Sequence, residues 1–102
     1  MKTLSIQAEE DGNSILHKEL IENLLKKLGF SPEVKESFDD EHYVNFYIDT
    51  DDLKSVWETI RENLVSINEV ASSCMIICQG ERGWADMLIL HHNDPEVELD
   101  KL

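Results

Sequence analysis

Positive charge is what this sequence has least of. Nine Lys and Arg stand against 22 Asp and Glu in 102 residues, a formal net charge of −13. Such a chain repels phosphate backbones and anionic membranes, which argues against direct nucleic-acid binding and against a membrane surface. It attracts cations or a basic protein, although acidity of this kind also serves solubility. Long apolar runs are missing too. The residues after Lys2, TLSIQAEED, lack the apolar core of a secretory signal, and no stretch approaches the length of a membrane span. Cysteine is scarce: Cys74 and Cys78 lie four residues apart in a strand-like segment. That separation is roughly 13 Å along an extended chain, beyond disulfide reach. Free thiols suit a reducing compartment, and the expected location is cytoplasmic. There is no glycine-rich phosphate loop, because GERG at 80–83 lacks the spacing and the following helix. No repeat, low-complexity segment or linker divides the chain, so a single domain over 1–102 is expected.

What is present reads clearly as alternating elements. Residues 2–8 alternate, with Leu4, Ile6 and Ala8 on one side, and predict a strand. Asn13 or Ser14 offers a helix N-cap, and Leu16, Leu20, Leu24 and Leu28, flanked by Ile21 and Leu25, follow helical spacing. Gly29, Phe30 and Pro32 predict its end. Residues 33–38 and 43–49 predict a hairpin about the turn DDEH, with Val44, Phe46 and Ile48 on one face and Tyr43, Asn45, Tyr47 and Asp49 on the other. A second helix is predicted from about Asp51 to Leu64, with Trp57 on its apolar stripe. Residues 70–79 and 84–92 predict two more strands joined by GERG.

The order β-α-β-β-α-β-β predicts an α+β, two-layer sandwich: an antiparallel sheet with two helices on one face, ferredoxin-like with an extra edge strand. In that arrangement the two hairpins occupy opposite edges of the sheet.

The chemistry-bearing residues cluster in SFDDEHYVNFYIDTDDL, residues 37–53, which holds six carboxylates and no Lys or Arg. DTDD at 49–52 resembles the start of a calcium loop, but the glycine and distant glutamate of that loop do not follow. Helix capping accounts for it: Asp49 or Thr50 as the cap, with Asp51 and Asp52 beside the positive end of the helix dipole. Asp39, Asp40 and Glu41 are not explained by capping and stand either as a solvated turn or as an anionic patch. Adjacent His91 and His92 point to opposite faces of a strand and do not share a metal. Cys74 and Cys78 sit among Met75, Ile76 and Ile77, where burial suppresses reactivity. No catalytic residue, cofactor site or metal site is read from this sequence, and a binding module outranks an enzyme.

Two surfaces are candidates for partner binding. Asp39, Asp40, Glu41, Tyr43, Tyr47 and Asp49 form the first; Glu81, Trp84 and Asp86 form the second. A polar open face is the expectation for a two-layer fold, so Tyr43, Tyr47 and the apolar residues of the last strand lie either in an interface or in a second small core beneath the C-terminal tail.

In size, acidity, free cysteines and absence of a catalytic motif, the chain resembles the small acidic immunity proteins that bacteria pair with basic nuclease toxins. The resemblance implies a monomeric inhibitor that covers a cationic active-site cleft, with a basic nuclease domain as partner. The competing expectation is a small ligand-binding or regulatory domain that forms a homodimer. A third, metal binding by carboxylates with His91 or His92, predicts a melting temperature that shifts with metal.

Overall fold

A computed structural model describes residues 1–10, 15–37 and 42–102. The elements are β1 (Lys2–Glu10), α1 (Ile15–Lys27), β2 (Glu33–Ser37), β3 (His42–Thr50), α2 (Leu53–Ile60), α3 (Asn68–Ala71), β4 (Cys74–Gly80) and β5 (Gly83–His91). The strands form one five-stranded antiparallel sheet in the order β2-β3-β1-β4-β5. This is the ferredoxin-like order with β5 added beside β4, and the hairpins β2-β3 and β4-β5 lie at opposite edges, as predicted.

Alternation decides which face meets the helices. Leu4, Ile6 and Ala8 of β1, Val44, Phe46 and Ile48 of β3, and Cys74, Ile76 and Cys78 of β4 are buried in one cluster with Ile21, Leu25, Val56, Ile60, Leu64 and Val70 from the helical segments. Burial of these side chains from water is the main force holding the two layers together. Both cysteines are free and point into this cluster.

Helix α1 ends as its sequence requires. Gly29 adopts φ +92°, the Gly29 N–H donates to Lys26 O at 3.0 Å, and the Phe30 N–H donates to Leu25 O at 2.9 Å. This paired closure satisfies carbonyls that the helix leaves open. Lys26 and Lys27 occupy the last turn, where the dipole favours cations. Lys18 of α1 also pairs with Glu36 of β2. The buried stripe is centred on Ile21 and Leu25 rather than on the predicted Leu16–Leu28 row, and Leu20 is 37% exposed. The predicted caps Asn13 and Ser14 lie outside the described residues.

Three predicted boundaries are corrected. The second helix is capped by Asp52, whose Oδ1 accepts the Ser55 N–H at 3.1 Å, while Thr50 Oγ1 accepts the Asp52 N–H at 3.0 Å. Asp49 instead accepts the Thr3 hydroxyl at 2.6 Å, tying β3 to β1. That helix is also not uniform to Leu64. After Ile60 a wider π turn, Arg61–Val65, follows, and Leu64 within it is fully buried. Residues 70–73 do not begin the fourth strand. Asn68–Ala71 forms a short helical turn, Ser73 Oγ donates to Glu69 O at 2.8 Å, and pairing starts only at Cys74. Trp57 packs against the core from its margin, partly exposed.

The C-terminal tail follows the outer side of β5. The Asp100 N–H donates to Ile89 O at 2.7 Å, and Asp100 Oδ2 accepts the Ile89 N–H at 2.8 Å. Beyond it, Leu99 and Leu102 share a groove with Trp57 and Leu90 on the helix side. Among the described residues, no helix is long and apolar enough to cross a membrane.

Candidate functional site: the open face of the sheet

The helices leave one sheet face uncovered. Strand register arranges its side chains in rows. Glu33, Tyr47, Ser5, Ile77 and Ile89 form the middle row, from β2 across to β5. Lys35, Asn45, Gln7 and Met75 form the row beside it. Tyr43 stands opposite Glu9, and Asp49 opposite Thr3. Ser5 is only 3% exposed because Tyr47 and Ile77 flank it on both sides.

The centre of this face is therefore uncharged, and its carboxylates, Glu9, Glu33 and Asp49, lie at the margin. Lys35 is the single cation among the described strand residues of this face. Its Nζ stands 3.5 Å from Glu33 and 5.7 Å from the centroid of the Tyr47 ring. The middle strand presents Ser5 and Gln7, with tyrosines on β3 to one side and Met75 and Ile77 on β4 to the other, so anchoring side chains flank a polar strip and carboxylates lie around them. Met87, on β5, is 46% exposed and continues the apolar area to the sheet edge. The tail contacts run along the edge of β5 and toward α2, and His92 and Asn93 line a cavity together with Tyr43.

The sequence-predicted residues do not gather at one place. Tyr43, Tyr47 and Asp49 lie along β3 on the open face, half-buried, half-buried and exposed respectively. Asp39, Asp40 and Glu41 lie outside the described residues. Glu81, Trp84 and Asp86 belong to the β4-β5 hairpin, with β1 and β4 lying between β3 and β5. Trp84 is 42% exposed. Asp86 serves the hairpin itself. Its Oδ1 accepts the Arg82 N–H at 2.9 Å, and its side chain lies against Gly80, filling the space that a larger residue at 80 would occupy. Gly83 completes the turn at φ +79°.

The histidines are engaged locally. The Nε2 of His91 lies 2.8 Å from Ala71 O, and the Nδ1 of His92 accepts the Asp94 N–H at 2.9 Å. Among the described residues, no group of three or more His, Cys, Asp or Glu is arranged to hold a metal ion. Burial pushes the Cys74 thiol up to about 12 and raises that of Cys78 in the same direction. A thiol held protonated at neutral pH is a poor nucleophile.

Sequence reasoning found the tyrosines through alternation but missed Gln7, Glu9, Met75 and Asn93, which surround a small cavity beside Tyr43. The signal for Gln7 and Glu9 was available, since they alternate with Ile6 and Ala8 on β1. Comparison with protein-family models, curated proteins and solved structures finds no significant match for this chain.

Proposed function

We propose that this chain is an acidic protein-binding inhibitor, an immunity protein that neutralises a basic nuclease toxin by covering its cationic active-site cleft. One observation carries the reading: the uncovered sheet face brings Tyr43, Tyr47, Met75, Ile77 and Ile89 together on either side of an uncharged middle strip, Ser5 and Gln7, with the carboxylates Glu9, Glu33 and Asp49 at its margin. The net charge of −13 accelerates encounter with a cationic surface, and the aromatic and aliphatic side chains then slow departure. Carboxylates stand where nucleic-acid phosphates would lie in the cleft. The inhibitor acts by occupancy and needs no chemistry of its own.

The test is co-expression with the basic protein encoded beside this chain in its genome. A nuclease whose toxicity is relieved, and which forms an equimolar complex weakened by Tyr47→Ala, supports the reading. A neighbouring nuclease that stays toxic and unbound removes it.

The apolar strip of Ile77, Met87 and Ile89 on the same face supports a second reading, a homodimeric ligand-binding or regulatory domain. Sedimentation at low and high salt separates the two. The inhibitor remains monomeric throughout, whereas a dimer through an apolar strip persists and tightens as salt screens the like charges.

A further inference from the structure

At one corner of the open face, where β1 ends and β4 begins, lies a cavity of about 200 Å³. Glu9 is its one carboxylate residue, Gln7 and Asn93 are its amide residues, and Tyr43 and Met75 supply aromatic and apolar lining. No Lys or Arg among the described residues lines it. Among the described residues Glu9 takes part in no ion pair, whereas Lys18, Lys26, Lys35 and Arg82 each have a carboxylate partner.

These groups are held by the sheet. Glu9 stands opposite Tyr43, and Gln7 stands between Asn45 and Met75. The Glu9 N–H donates to Ser73 O at 3.0 Å, which fixes the end of β1 beside the start of β4. His92, on the cavity wall, accepts the Asp94 N–H and so shapes the loop that carries Asn93.

We propose that this cavity receives an arginine side chain of the basic protein partner; the inference rests on the reading of the chain as a binder of such a protein. A volume of about 200 Å³ is below the roughly 300–1,000 Å³ of whole small-molecule sites and suits one long side chain. The lining combines one carboxylate with two side-chain amides and an aromatic residue. A planar guanidinium, with five donors in a fixed fork and a flat face that stacks on tyrosine, uses all of them at once. Lysine, with three donors on one compact charge, has no flat face to lay on the ring and no fixed fork to match the carboxylate. The methylene stem of arginine lies against Met75. The cavity is thus the anchor point of the interface, with the charge pair at Glu9 partly shielded from water.

The probe is N-acetyl-arginine amide, titrated into isotope-labelled protein and followed by amide chemical shifts, with N-acetyl-citrulline amide as its uncharged isostere. Saturable shifts confined to Gln7, Glu9, Tyr43 and Asn93 are expected for arginine and not for citrulline. Glu9→Gln should weaken them roughly tenfold, while Glu62→Gln on the helix side changes nothing. Shifts spread over exposed carboxylates everywhere, or equal for citrulline, overturn the proposal. A second arm uses the complex with the basic partner. Dissociation accelerated roughly tenfold by Glu9→Gln supports the assignment. A complex that forms but is indifferent to Glu9→Gln overturns the cavity and leaves the inhibitor reading intact. Local arginine binding without any basic protein partner overturns both the inhibitor reading and the assignment of the guanidinium to a protein.

Discussion

Asp100 meets Ile89 at both of its outward backbone groups, donating its own N–H to the carbonyl at 2.7 Å and accepting the Ile89 N–H on Oδ2 at 2.8 Å. A sheet edge presents unpaired donors and acceptors that invite another strand. Here one residue of the tail imitates a paired strand at one position of that edge.

Asp100→Ala should release this clip while keeping the fold. The expected destabilisation is about 0.5–1.5 kcal/mol, the worth of one exposed hydrogen bond, read from urea unfolding. Amide exchange at Ile89 should rise, and the tail after His92 should become a protease target. Unchanged exchange at Ile89 would show that the carboxylate does not hold the edge.

Gly80 and Gly83 separate two kinds of glycine requirement in one hairpin. A Cβ at Gly80 would lie 2.2 Å from the backbone oxygen of Asp86, so Gly80→Ala must shift backbone. The expected loss is about 1–3 kcal/mol. Gly83 has open space but φ +79°, so Gly83→Ala carries only conformational strain of about 1 kcal/mol. Thermal unfolding of the two variants should rank them in that order.

Asp52→Ala removes the side-chain acceptor for the Ser55 N–H. A loss of about 1 kcal/mol is expected in chemical denaturation. Asp51→Ala should be close to neutral, because Asp51 is exposed and its ion-pair partner among the described residues is the N-terminal amine, at 3.4 Å. Equal losses at 51 and 52 would contradict the cap assignment.

Cys74 makes stability fall at alkaline pH. Burial raises its thiol from the ordinary 9.0 to about 12, so between these values the unfolded chain carries the thiolate and the folded protein the thiol. Unfolding then releases a proton. The contribution is complete below 9.0 and is lost as pH rises toward about 12, with a slope of about 1.4 kcal/mol per pH unit. Urea midpoints measured between neutral and alkaline pH should fall less steeply in Cys74→Val. Folded protein should also resist thiol reagents until denatured.

Most of the architecture was legible because β1 and β3 alternate and α1 ends on its own signals. The errors fall where two periods coincide. Val70 and Cys74 are both buried and four residues apart, a spacing that fits one helical turn as well as one face of a strand. The pattern therefore ran the strand backward through Ser72 and Ser73. In α1, residues taken four at a time drift around a helix of 3.6 residues per turn. Leu24 and Leu28 therefore pack at the margin of the core while Leu20 turns toward solvent, and Ile21 with Leu25 holds the centre. The candidate site was half visible. Alternation revealed Tyr43 and Tyr47, but the cavity depends on which strands become neighbours, and Glu9 meets Tyr43 only after residues far apart in the chain have paired.

Strand β1 occupies the middle of the sheet, between β3 and β4, although it precedes both in the chain. During synthesis its neighbours at 42–50 and 74–78 arrive on the order of seconds later. Until then Leu4, Ile6 and Ala8 can pack against α1 but have no neighbouring strand, and no local hairpin can shelter them. Acquisition of the native state is thereby tied to contacts of long sequence separation, which slow a folding rate.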